Sequence, residues 1–340
     1  MSNVHPTDPT YRIFGAENSP YSVKVRSYFR YKDIPHEWVV RDANSQAEFN
    51  EHAKLPLIPL VLTPDGEAIQ DSTPIIEKLE TIFPEPSIHP SDPAVAFLSA
   101  LLEEFGDEWG NKWMFHYRWA RDVDQIACSR RLVGEMMPGI GSEQLEQMAE
   151  GVRARMTQRV HFVGSSEQTA PQIEKSFCDA IELLETHFDG RSYLFGGRPA
   201  FADFGIWGQL YNASLDPTPA AILQQRAPRV CEYIGRMGGP KLEGDFEDWE
   251  ALAPTLTPLL ERQVGALFLP WSDANSRCLS EGGESFSIEL AGKKWTQKPQ
   301  KYHARSLAAI RSKYAGISDN PVLRRILSSS GCLAVLQGSD

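Results

Sequence analysis

Residues 10–85 alternate short apolar runs with helical patterns, and that order leaves few folds open. Tyr11-Arg12-Ile13-Phe14 reads as a strand. Ser19-Pro20 then opens a helix, because Ser is a favoured N-cap and Pro suits the first helical position. His36-Glu37-Trp38-Val39-Val40 is a second strand, parallel to the first across a helical crossover. Leu60-Val61-Leu62 and Glu67-Ala68-Ile69 flank Thr63-Pro64-Asp65-Gly66, which predicts a hairpin. Asp71-Ser72-Thr73-Pro74 starts a further helix with Ile75, Ile76 and Leu79 on one face. The expected product is a small mixed sheet covered by helices.

Pro86, Pro90 and Pro93 mark a linker. The pattern then turns helical as far as residue 237, with helices expected over residues 94–120, 143–163, 173–188 and 201–215. Gly139-Ile140-Gly141-Ser142 interrupts them. Beyond residue 240 the texture changes again. A helix is expected over residues 249–268, a hairpin around Ala291-Gly292, a helix over residues 302–314 and a last short helix after Asn320-Pro321. The chain thus divides into residues 10–85, 94–239 and 240–340. An apolar content of 41% supplies cores for all three stretches and excludes a disordered chain.

A net charge of −11 argues against a nucleic-acid partner, which needs clustered Lys and Arg. No apolar run is long enough to span a membrane, and the polar start lacks a signal peptide's apolar stretch, so a cytoplasmic protein is expected. Cys128, Cys178, Cys231, Cys278 and Cys332 are scattered and form no CxxC pair, which fits buried thiols better than disulfides or a zinc site. No metal is expected.

Three motifs then carry a resemblance. Ser19-Pro20-Tyr21-Ser22-Val23-Lys24-Val25-Arg26 directly follows the first strand, Ile58-Pro59 directly precedes the third, and Gln70-Asp71-Ser72-Thr73-Pro74 opens the helix after the hairpin. Over residues 10–239 the chain resembles the cytosolic glutathione S-transferases, with a serine-type start like that of the tau and zeta classes. The implied fold is a thioredoxin-like α/β N-terminal domain plus an all-α transferase domain. Residues 240–340 add a mixed α/β extension that packs on the helical domain. The resemblance implies that Ser19 is catalytic and donates to the sulfur of glutathione, the co-substrate. A free thiol titrates near ~8.5, and one hydrogen bond to its charged form is worth about 1.5–3 kcal/mol, which brings it to roughly 7. The same serine also reads as an ordinary N-cap.

The resemblance further implies a cis peptide bond at Pro59, with Ile58 pairing the cysteinyl backbone of glutathione. Asp71 would face the γ-glutamyl ammonium and Ser72 its carboxylate, and Tyr21 joins the glutathione-binding residues. Lys54, with Arg41 behind it, is the cation for the glycyl carboxylate. Trp109, Trp113 and His116 share a helix face and are the candidate pocket for a hydrophobic electrophile, although aromatics at this spacing also read as core. Glu103, Glu104, Asp107 and Glu108 read as a solvated face. Ala200 stands where the family has a capping Ser or Thr before Asp203, a loss of typically about 1 kcal/mol. The expected activity is conjugation of the glutathione thiolate to an electrophile, or a related thioether cleavage or isomerisation, in a homodimer. The alternative is a non-catalytic protein that keeps the fold as a binding or interaction module.

Overall fold

The computed structural model describes residues 10–338. Its N-terminal part runs β1 (Tyr11–Gly15), α1 (Pro20–Tyr31), β2 (His36–Val40), α2 (Gln46–His52), β3 (Leu60–Leu62), β4 (Ala68–Gln70) and α3 (Ser72–Ile82). The strands lie in the order β2-β1-β3-β4. β1 and β2 are parallel, and β3 is antiparallel to both β1 and β4. This is the mixed, thioredoxin-like sheet read from the sequence. Helix α1 buries Val23, Val25, Tyr28 and Phe29 against it.

The next stretch is all helical: α4 (Pro93–Phe105), α5 (Asn111–Ala120), α6 (Asp122–Met136), α7 (Ser142–Thr157), α8 (Ala170–His187), α9 (Phe201–Ser214), α10 (Pro217–Arg226) and α11 (Pro228–Met237). The helix expected over residues 94–120 is present, but a π-helical turn at Gly106–Gly110 sits between α4 and α5. The helix expected over residues 143–163 stops at Thr157, and a 3₁₀ turn at Val160–Val163 follows. Gly106 is required where it stands, because a Cβ there would lie 2.6 Å from the Ile206 backbone nitrogen on α9. Gly208, on α9 itself, does the same for α1, letting α9 meet the Pro20 carbonyl at the start of that helix.

The missing hydroxyl at position 200 is replaced from elsewhere. Ala202 N–H donates to Ser99 Oγ on α4 at 3.1 Å, a bond that an N-cap serine would normally accept. Asp203 still reaches back to the Ala200 N–H at 2.8 Å and also takes the Leu194 N–H at 2.9 Å. The cap lost from position 200 is therefore rebuilt between helices.

The last stretch comprises α12 (Trp249–Leu259), α13 (Leu269–Ser280), β5 (Phe286–Leu290), β6 (Lys293–Gln297), α14 (Lys301–Ala315), α15 (Pro321–Ser329) and α16 (Leu333–Gln337). A π-helical segment, Leu260–Phe268, joins α12 to α13, so the helix expected over residues 249–268 continues to Ser280. The hairpin β5–β6 forms as the sequence predicts. One continuous apolar core links the sheet (Ile13, Val61), the helices (Trp109, Phe177) and the last stretch (Trp271, Leu327).

A buried lysine joins the last stretch to the helices. Lys112 on α5 is 1% exposed. Its Nζ lies 3.5 Å from the Trp271 ring centre and 5.5 Å from those of Trp109 and Trp295. It donates to the Val163 carbonyl at 3.1 Å. Burial drives its ammonium well below the usual lysine range, against the pull of Glu108.

His187, at the end of α8, makes a second joint. Its Nε2 bonds the Leu194 carbonyl at 2.9 Å and its Nδ1 bonds Thr255 Oγ1 of α12 at 2.8 Å. Burial pushes the imidazole from 6.5 down to about 4. The unfolded chain therefore takes up a proton that the folded chain refuses. Stability from this group is present above pH 6.5 and is lost as pH falls to about 4. The full effect is about 3 kcal/mol. Asp107 and Asp203, both lifted to about 7 by burial, act in the opposite direction. The test is thus a difference between proteins. In urea melts, the deficit of His187→Gln relative to the parent protein should shrink by about 3 kcal/mol on acidification through this window. A deficit that stays constant would contradict the assignment.

Candidate functional site

Strand register gathers the motif residues at one end of the sheet. Phe14 pairs with Leu60, Leu60 with Gln70, and Gly15 with Val40. Beyond these pairs the chain leaves the sheet at Ser19, Ile58–Pro59, Asp71–Ser72 and Arg41. Helices α1 and α3 both begin at this end, so two helix N-termini, each with unpaired N–H groups and a partial positive charge, meet there.

Ser19 is the N-cap of α1, and its Oγ accepts the Ser22 N–H at 3.2 Å. That bond uses an oxygen lone pair and leaves the hydroxyl hydrogen free to donate. Capping and donation to a thiolate are therefore compatible in one side chain. The loop before Ser19 is fixed by the helices. Glu135 on α6 accepts the Glu17 N–H at 2.5 Å and the Asn18 side-chain amide at 3.2 Å. Arg118, 4% exposed, donates to the Asn18 carbonyl at 3.0 Å and to Asp216 Oδ2 at 2.9 Å. The two residues before Ser19 are thus held by the helical stretch.

Ile58–Pro59 is cis, and the Asp71 N–H reaches the Pro59 carbonyl at 3.4 Å. The longer approach to this proline is pinned by Gln70, whose amide donates to the Leu55 and Leu57 carbonyls at 2.7 and 2.6 Å and whose oxygen accepts the Leu55 N–H at 3.1 Å. The motif around Gln70 gives this residue no role in the sequence alone. Its place at the end of β4, opposite Leu60, is what brings it to the loop. Lys54 is exposed. Arg41 is engaged within the loop: it donates to the Pro56 carbonyl at 2.9 Å and lies 4.3 Å over the Phe49 ring.

Ser72, 1% exposed, starts α3 behind Asp71. Asp71 has φ of +82° and makes no side-chain bond to the first turn of α3. Its carboxylate instead accepts the Tyr302 hydroxyl of α14, at 3.2 and 3.1 Å to its two oxygens. Burial raises the Asp71 carboxyl, while the Tyr302 bond and Lys24 oppose that shift. Tyr21 donates its hydroxyl to the Asp107 carbonyl at 3.0 Å, which ties α1 to the π turn.

The acidic residues of α4 and the π turn are not a solvated face. Glu103, Glu104, Asp107 and Glu108 are 0%, 6%, 5% and 3% exposed. Lys24 of α1 pairs with Glu103 and, at 2.6 Å, with Asp107, and donates to Thr73 Oγ1 at 3.1 Å. Ser306 meets Glu104 and His303 meets Glu108, both from α14. The sequence reading failed here because the partners lie on α1 and on a helix almost two hundred residues downstream. A lysine between Val23 and Val25 on a buried helix face was the available signal.

Trp109 and Trp113 are core residues, 1% and 2% exposed, and both indole N–H groups donate to Ser176 Oγ, at 2.9 and 3.0 Å. His116 is 2% exposed and bonds Ser165 Oγ at 2.8 Å and Glu174 Oε1 at 3.1 Å. Burial lowers its pKa. The expected aromatic pocket is thus filled, with Trp109 also edge-on to Trp271 and tilted against Trp295 of the last stretch. The space beside Asp71 is instead a cavity of about 260 Å³, walled by α3, the α4–π turn and α14.

Among the described residues no group of His, Cys, Asp and Glu side chains is disposed to hold a metal ion. No described helix is long and apolar enough to cross a membrane. The five cysteines are free thiols.

The family model for the glutathione S-transferase N-terminal domain matches residues 13–87. Among solved structures, the chain is similar to a tau-class glutathione S-transferase from mango, Mangifera indica. The two are 16% identical, the match covers 74% of this chain and 100% of that one, and the TM-score is 0.44. It is also similar to a Methylobacterium radiotolerans glutathione S-transferase in complex with glutathione sulfonate, at 19% identity, 72% and 94% coverage and a TM-score of 0.43. A β-etherase from Sphingobium sp. is 18% identical, with 73% and 98% coverage and a TM-score of 0.45. No curated protein matches the chain. Across residues 13–87, the chain is thus similar to the N-terminal domain of the glutathione S-transferase family.

Proposed function

We propose that this protein is a serine-type glutathione transferase. Reduced glutathione binds at the sheet end, with its cysteinyl backbone on Ile58 before cis Pro59, its γ-glutamyl carboxylate at Ser72 and its ammonium at Asp71. Ser19 donates its hydroxyl hydrogen to the sulfur and holds it as thiolate, which attacks an electrophilic carbon of a second, hydrophobic substrate. Substitution, addition, thioether cleavage and isomerisation all use this one nucleophile. Exposed Lys54 meets the glycyl carboxylate in this reading, since Arg41 is engaged in its own loop.

The observation that carries the reading is the register Phe14–Leu60–Gln70, which brings Ser19, cis Pro59 and Ser72 to one end of the sheet with two helix N-termini. Residues 10–85 form the glutathione half, residues 94–239 the helical half and residues 240–340 an extension on the latter. A cytoplasmic homodimer with a detoxifying role is the family expectation. The test is calorimetric titration of reduced glutathione into the full chain. Saturable binding is expected. No heat at millimolar ligand would exclude the enzyme and leave the fold as an interaction module.

A further inference from the structure

From the geometry around Asp71 we infer that Tyr302 of the C-terminal stretch is a positioning residue of the γ-glutamyl subsite, and completes it for a ligand with a free α-ammonium. The inference rests on the glutathione reading and names the residue that selects one end of that ligand.

A phenol from α14 reaches the N-cap of α3 across 231 residues of sequence. The Tyr302 hydroxyl is shared between both Asp71 oxygens, at 3.2 and 3.1 Å. Asp71 adopts a positive φ of +82° that favours glycine, and its carboxylate is not spent on capping α3. Its charge is therefore presented toward α14 and the 260 Å³ cavity that both residues line. Asp107 lines the same cavity, is 5% exposed, and its Oδ1 has no hydrogen-bond partner among the described residues. Asp107 thus adds an acidic wall residue that Lys24 does not fully satisfy.

An ammonium is the donor that fits. It carries only hydrogens to give, and the carboxylates Asp71, Glu104, Asp107 and Glu108 line the cavity along with Arg305 and Lys313. The Tyr302 oxygen donates its single hydrogen to Asp71 and keeps its lone pairs, so it can accept from the ligand in the same geometry. Donation also favours the ionised form of Asp71, which the ammonium requires. Tyr302 arrives already placed. Gln300 N–H donates to Asn275 Oδ1 at 2.7 Å, His303 pairs with Glu108, Ser306 with Glu104, and Lys313 with Glu77 at 2.6 Å. Little ordering is left for the moment of binding.

Tyr302→Phe keeps the ring and removes the hydroxyl. The full chain and this variant are titrated with reduced glutathione and with the analogue lacking the γ-glutamyl amino group. The variant should bind glutathione about tenfold more weakly, with the analogue bound equally by both proteins. In turnover, KM for glutathione should rise while kcat at saturation stays unchanged, which a merely structural role would not produce. Equal glutathione affinity in both proteins would overturn the inference, as would tighter binding by the variant, which would make Tyr302 a plug. Absence of glutathione binding by the parent chain would overturn the glutathione reading itself, a result distinct from either.

Discussion

The Ser19→Ala variant should lose about 10- to 100-fold in kcat/KM for glutathione turnover at neutral pH. A hydrogen bond to a charged group is worth about 1.5–3 kcal/mol, and here it would act on the thiolate alone. Removing it returns the thiol toward ~8.5, so the thiolate at neutral pH falls from about half to a few per cent. The defect should therefore shrink in alkaline buffer, where the thiol ionises unaided. Ser19 also caps α1, and the alanine should cost about 1 kcal/mol of stability. Ser19→Asp separates the two roles. Asp caps a helix as well as Ser does, yet its carboxylate cannot donate and repels a thiolate. It should fold like the parent protein and be as inactive as the alanine variant. A Ser19→Asp protein with undiminished turnover would remove Ser19 from the chemistry.

Lys24→Met should have the largest effect on stability, about 3–5 kcal/mol, because it strands two buried carboxylates. Lys24 is fully buried, and it is the ammonium that faces Glu103 and Asp107. One cation between two carboxylates leaves an excess negative charge, and burial already lifts Asp107 to about 7. In the variant Asp107, already raised by burial, is pushed further up. A carboxyl whose folded pKa lies above its unfolded value stabilises the fold only while protonated, and that contribution is lost as pH rises through the folded value. The deficit of Lys24→Met in urea melts should thus be largest at neutral pH and smaller in acid. A deficit independent of pH, or below about 1 kcal/mol, would mean that the pair is worth no more than a surface bridge.

Lys24 also shows where the sequence stops being legible. Its neighbours in the chain, Val23 and Val25, define a buried face, but the carboxylates that make its burial tolerable come from α4 and the π turn. The local patterns were readable because their causes are local. Ser-Pro starts a helix, Pro-Asp-Gly turns a hairpin, and both survive as α1 and β3–β4. The register that brings Ser19, Pro59 and Ser72 together follows from those turns. The face Glu103–Glu108 looked solvated because a helix knows only its own side chains, whereas its burial is decided by α1 and α14. Trp109 and Trp113 looked like pocket walls for the same reason, and Ser176 with the last stretch fills that space. The cap missing from Ala200 could not be found in sequence either, since Ser99 lies on another helix.

The account stands on the sulfur of glutathione being held as thiolate at Ser19. Its most direct test is the ultraviolet thiolate absorbance of glutathione bound at saturation to the full chain, followed as pH is raised from acid to alkaline. The account predicts a midpoint at roughly 7, one to two pH units below the free thiol. A bound glutathione that still titrates near ~8.5 would contradict it.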